Sequence, residues 1–318
     1  KLANMLPAKE SVQWKLARQL GINYAITKAA SELSGLPDPS DFNALKTVKE
    51  RFENAGFKLY GLEGDEFNMD RIKLGLPGRD EDIEKYQNML RNMGRLGIEL
   101  LCYNFMGGVG WYRSRCDLPE RGGALTSGFD IKDTEQVSLK ITAEKMWDNY
   151  KYFIEAVMPV AQESGVKMGL HPDDPPVPNL MGYARIFINA DAYRRALKFS
   201  DSPSHGITFC QATFKAMGED VFELMKEWKD KIFFFHFRDI IGESTCFRET
   251  FHDNGPTDMA KYMKLAALLK PDSIIRPDHT PTMSGESNEN FGYAVLGNIF
   301  ATVYMKGIAD SLGIEFDC

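Results

Sequence analysis

The apolar positions of this chain change period again and again, in the same order. A stretch that keeps its apolar residues to one helix face is followed by a Gly and then by a short, almost wholly apolar run. The junctions read Leu20-Gly21-Ile22-Asn23, Ala55-Gly56-Phe57-Lys58, Leu96-Gly97-Ile98-Glu99 and Ser164-Gly165-Val166-Lys167. A Gly just past a helix end takes the left-handed conformation that closes the last turn. Runs too apolar to alternate are strands buried on both faces. Eight such strands are predicted, at residues 2–6, 23–27, 58–63, 99–105, 167–171, 206–210, 232–237 and 273–277. Helical patterns occupy 40–54, 80–95, 143–163, 220–230 and 258–269, with a last one at 295–311. Strand–helix units in unbroken succession predict an α/β chain. The expected fold is one (β/α)8 TIM barrel over residues 1–318, a single catalytic domain, in preference to a doubly wound open sheet.

One excursion interrupts this grammar, at residues 106–139, between the fourth strand and its helix. It is rich in Gly and carries Trp111, Arg113, Arg115 and Arg121. Loops this long within a domain are usually functional, and on a barrel this one caps the C-terminal face, where active sites are built.

Charge and cysteine usage narrow the function. A net charge of −7 with no long basic run argues against nucleic acid or an anionic membrane as partner. An acidic small molecule would need a local group of cations. Residues 1–7 lack the apolar core of a signal peptide, and no apolar run approaches the roughly 20 residues that span a bilayer. Five scattered Cys do not form a disulfide framework. A reducing, cytoplasmic setting is expected, where a Cys is free to bind metal.

The informative side chains fall at strand ends. His171 closes the fifth strand, Cys210 the sixth, His236 lies in the seventh, and Asp278 follows the eighth. Singly, each has an ordinary reading as a core residue or a loop cap. Together they bring imidazole, thiolate, imidazole and carboxylate to one rim, all ligand types for a divalent transition metal. Arg113, Arg238 and Arg276 are candidates for a substrate carboxylate, because an Arg fork matches it with two hydrogen bonds. Arg238 shares a strand face with His236, two residues away, and its alternative is an ion pair with Asp239 or Asp173.

Several motifs then resemble the mannonate dehydratase family, from residue 171 to residue 308. They are His171-Pro-Asp-Asp-Pro-Pro176, Ser200-Asp-Ser-Pro203, His236-Phe-Arg238, Phe247-Arg-Glu249 with His252, Asp258-Met259, Arg276-Pro-Asp-His279, Gly292-Tyr293 and Tyr304-Met-Lys-Gly307. The resemblance implies a TIM barrel binding Mn2+, with Fe2+, Co2+ or Mg2+ as alternatives, through His171, Cys210, His236 and Asp278. It implies an acid–base pair at His279 and Tyr293, without deciding which is which, and a substrate contact at His252. The implied reaction turns D-mannonate into 2-keto-3-deoxy-D-gluconate and water, in a setting of hexuronate catabolism, and the barrel family suggests a dimer or larger homo-oligomer. Three segments depart from the family pattern: Asn4-Met5-Leu6-Pro7 stands for Arg-Trp-aromatic-Gly, Cys210-Gln211-Ala212-Thr213 for Cys-x-Gly-Ser, and Gly297-Asn298 for Gly-Arg.

Two other classes compete. A metal-dependent sugar isomerase or epimerase on the same barrel would favour carboxylate ligands, and Glu63 at the end of the third strand is one. A non-catalytic homologue that binds a sugar acid is the other, against which the presence of both His279 and Tyr293 speaks.

Overall fold

Eight parallel strands run side by side in chain order: β1 (Ala3–Met5), β2 (Tyr24–Thr27), β3 (Lys58–Glu63), β4 (Leu100–Tyr103), β5 (Lys167–Leu170), β6 (His205–Cys210), β7 (Ile232–Phe237) and β8 (Ile274–Pro277). This computed structural model describes residues 1–317; Cys318, the end of the expected domain, lies outside the described residues. A parallel bridge between Leu2 and Ile275 returns β8 to β1 and closes the ring. The expected barrel is therefore the observed one, with β3 and β7 at their expected limits and the other strands shifted by one or two residues at an end.

Alternation along the strands divides the core in two. Ala3, Ile26, Leu100, Phe234 and Ile274 form one cluster inside the ring. The opposite faces meet the helices in a larger cluster that includes Phe52, Leu90, Phe153, Ile154, Tyr262 and Met305. Helix Ala143–Glu163 shows why such segments fold as they do. Thr142 caps it by accepting a hydrogen bond from the Lys145 amide, and Tyr150, Phe153, Ile154, Val157 and Ala161 bury one stripe. Gly165, at φ 69°, ends it and turns the chain into β5.

The segment after β4, expected as a long loop capping the C-terminal face, carries strands of its own. Arg115–Pro119 and Leu125–Asp130 pair with each other, and the latter pairs with Cys246–Glu249 of a hairpin that follows β7. With Ile240–Glu243 they make a four-stranded antiparallel sheet over the C-terminal face. Phe129, Ile240 and Phe247 seat it on Val177, Leu180 and Ala212 in a third apolar cluster. Among the described residues no helix is long and apolar enough to cross a membrane.

Candidate active site

The four side chains expected to bind metal converge. Ligand atoms of His171, Cys210, His236 and Asp278 all lie within 4.8 Å of one another. The barrel does this because their strand ends are neighbours: Cys210 sits beside His236 across the β6–β7 register, and Asp278 directly follows β8. At His171, Nδ1 is 2.7 Å from the Pro172 carbonyl, so that nitrogen donates and Nε2 is left as the acceptor.

His236 is the best internal test of whether this cluster suits a cation. Its ring is 1% exposed, with Nδ1 3.3 Å from Asp278 and Nε2 3.3 Å from Glu63, yet neither nitrogen makes a hydrogen bond. A buried, unpartnered imidazole beside a thiol and a carboxylate is a donor set for a divalent transition metal. Electrostatics agree. Burial pushes the Cys210 thiol up, but the Arg238 guanidinium and the neighbouring His171 and His236 rings outweigh it and hold the thiol well below its ordinary value. Burial likewise opposes the Asp278 charge, and His279, Arg276 and His236 overcome it. Thiolate and carboxylate are the ligand forms.

A second cluster stands beside the first. Glu249 accepts from Arg238 at 2.8 and 2.9 Å and lies 3.0 Å from His279 Nδ1. Asp174 accepts from Arg113 at 2.7 and 2.8 Å and from Arg238 at 2.9 Å. Burial would raise the Glu249 carboxyl, but Arg238, Arg113 and His279 pull it down to about 2. Two guanidiniums and two carboxylates thus neutralise each other out of water, an arrangement tolerable only with this many hydrogen bonds. His279 is held by its Nδ1 against Glu249, while Nε2 lies 3.7 Å from Asp278.

The expected carboxylate-binding arginines therefore behave differently from the sequence reading. Arg113 and Arg238 are spent on Asp174 and Glu249, not on Asp239 or Asp173, and Arg276 on Glu63 at 3.0 Å and Asp278 at 2.9 Å. Asp173 instead accepts from the Ile186 and Phe187 amides, and Asp239 pairs with Lys215. His252 is also a correction: it is buried, stacks on Phe237, makes a 2.6 Å hydrogen bond to the Phe237 carbonyl and lines no cavity of the site. Burial brings it down to about 4, so it is a neutral core imidazole.

His171, His236, Asp278, His279 and Tyr293 line one cavity of about 420 Å³, together with Lys28, Glu63, Cys102 and Trp111. Tyr293 keeps 41% of its surface exposed, and its ring centroid is 5.4 Å from that of His279. Trp111 roofs the pair, 4.9 Å from the His279 ring and stacked on Phe291 at 5.5 Å. A second cavity of about 460 Å³ adjoins the first and shares Met5, Lys28, Leu33, Trp111, His279 and Tyr293 with it.

Two residues that matter here were quoted in motifs without a role. Asp174 and Glu249 order the arginines and His279, and their adjacency to His171 and Arg248 in sequence carries no sign of it. The three departures from the family pattern also find places. Thr213 lies 3.2 Å from the Cys210 sulfur and accepts from Arg238 at 2.8 Å, and Asn4 donates to Asn298 at 3.0 Å.

Comparison with known proteins follows the same direction. Residues 6–140 and 130–316 match the family described as D-mannonate dehydratase. A mannonate dehydratase of Streptococcus pneumoniae is 31% identical over 297 residues, covering 83% of this chain and 81% of its own. The crystal structure of mannonate dehydratase from Streptococcus suis serotype 2 superposes with a TM-score of 0.89 at 28% identity, covering 100% of this chain and 95% of that one. A xylose isomerase domain protein of Planctomyces limnophilus, at 11% identity, a TM-score of 0.65 and coverage of 98% and 97%, shares the fold alone.

Proposed function

Because this chain belongs to the mannonate dehydratase family, we propose that it is a hydro-lyase that dehydrates D-mannonate to 2-keto-3-deoxy-D-gluconate. The observation that carries the reading is the convergence of His171, Cys210, His236 and Asp278, of which His171, His236 and Asp278 line one cavity with His279 and Tyr293. These four residues would hold the metal, for which we propose Mn2+, with Fe2+, Co2+ or Mg2+ as substitutes. When bound, such an ion acts as an electrophile that stabilises enolate charge.

The chain's own groups account for the protons. The hydrogen on the carbon next to the carboxylate must leave as a proton, and the neighbouring hydroxyl must leave as water. A phenol carries its proton at neutral pH, so Tyr293 is the donor to the departing hydroxyl. His279, fixed by Glu249 with Nε2 free, is the acceptor. Trp111 over both rings limits water at the reacting carbons. Arg113 and Arg238 are positioning residues that hold Glu249 and Asp174 in place. The setting we propose is cytoplasmic, with the chain acting as a homo-oligomer.

The test is metal removal and return. Chelated protein should be inactive on D-mannonate, and added Mn2+ should restore formation of the 2-keto-3-deoxy acid. Full activity after the metal has been stripped, verified by elemental analysis, would overturn the reading.

A further inference from the structure

An aldonic acid carries a carboxylate into a cavity whose walls are already acidic. Glu63, Asp65 and Asp278 line it, and the three arginines expected to meet the acid are each closed off by carboxylates of the chain. Among the described residues that line this cavity, Lys28 is the one Lys or Arg. It immediately follows β2, and it lines the adjoining cavity as well. Among the described residues its one carboxylate within ion-pair range is Glu32 at 3.7 Å, beyond hydrogen-bond distance and 66% exposed. An exposed pair of that kind holds little.

The stem of Lys28 is placed by its neighbours. Gly64 follows Glu63 with φ 104°, and a Cβ there would come within 3.6 Å of the Lys28 Cδ. The lysine stem thus lies within ordinary van der Waals reach of Gly64, next to Glu63, the carboxylate that faces His236. Lys28 keeps 31% of its side chain exposed, as a group reached by an incoming molecule would. A compact ammonium with three donors suits a carboxylate that arrives at varying angles.

We infer that Lys28 receives the carboxylate of the sugar acid and is the specificity-determining cation of the site. The inference rests on the dehydratase reading for the identity of the acid and on the cavity geometry for the contact. It assigns Lys28 to binding and leaves the proton transfers to His279 and Tyr293.

The experiment compares Lys28→Met and Lys28→Arg with the parent chain, all loaded with Mn2+. It measures KM for D-mannonate, metal content, and the Kd of D-mannonate by calorimetry in an inactive His279→Ala background. Lys28→Met should raise KM and Kd about ten- to a hundred-fold, as expected for losing a charged hydrogen bond, with metal content unchanged. Lys28→Arg should recover most of the loss, because the charge returns. If the parent chain dehydrates D-mannonate and Lys28→Met leaves KM and Kd as they were, the assignment of Lys28 is overturned and the dehydratase reading stands. If the parent chain binds D-mannonate without dehydrating it and Lys28→Met loses that binding, the dehydratase reading falls and Lys28 stands. A parent chain that does not bind the acid overturns both.

Discussion

At the scale of single residues, the division of labour at the rim is between groups that would hold a metal and groups that move protons. Cys210 and Tyr293 represent the two. Cys210 is buried among His171, His236 and Arg238, which favour its thiolate, and it lines none of the cavity where Tyr293 stands. Cys210→Ala should therefore lose metal and activity together. Tyr293→Phe and His279→Ala should keep metal and lose turnover by about 10²–10⁴-fold, the usual worth of a general acid or base. Elemental analysis beside kcat separates the outcomes: a Tyr293→Phe protein with near-parent kcat would reduce Tyr293 to a rim aromatic. The metal set was legible in the sequence because barrel geometry sends neighbouring strand ends to one rim. The roles of Asp174 and Glu249 were not. A carboxylate two or three residues from a ligand has many possible partners, and the choice among Arg113, Arg238 and solvent is made by tertiary packing.

At the scale of elements, the sheet above the barrel is tied to the chemistry through Arg113. That residue lies in the segment leading to strand Arg115–Pro119, has no exposed side-chain surface, and pairs with Asp174 beyond β5 and with Glu249 on the hairpin beyond β7. Three excursions are thereby locked together over the cavity. Arg113→Met would leave two buried carboxylates short of a partner, a change that costs on the order of 3–5 kcal/mol. Because the sheet rests on the barrel through a small apolar cluster of its own, the loss should appear as local opening, not as unfolding of the ring. Limited proteolysis should cut residues 107–123 faster in Arg113→Met than in the parent, with little change in the melting of the whole; equal cleavage rates would contradict the lock. The sheet escaped sequence reading for a physical reason. Arg115–Pro119 is short and half exposed, and Leu125–Asp130 finds one of its partners in Cys246–Glu249, more than a hundred residues away. Local periodicity cannot report such a pairing.

At the scale of the whole molecule, the ring was legible because its strands are apolar runs alternating with helical patterns, four of them introduced by a Gly at the end of the preceding helix. The fold itself does not choose between chemistries, as the shared architecture with a xylose isomerase domain protein shows. What distinguishes this chain is the rim: two imidazoles, a thiol and a carboxylate beside a histidine held by Glu249. An isomerase moves hydrogen and keeps every atom of its substrate, whereas a dehydratase expels water and leaves an enol that takes one proton from solvent on becoming the ketone. The most direct test is mass spectrometry of the product formed from D-mannonate in D2O by the Mn2+-loaded protein. The account predicts an acid lighter by one water, carrying a single deuterium at C3. A product that retains all the substrate's oxygen atoms, as an epimer would, contradicts it.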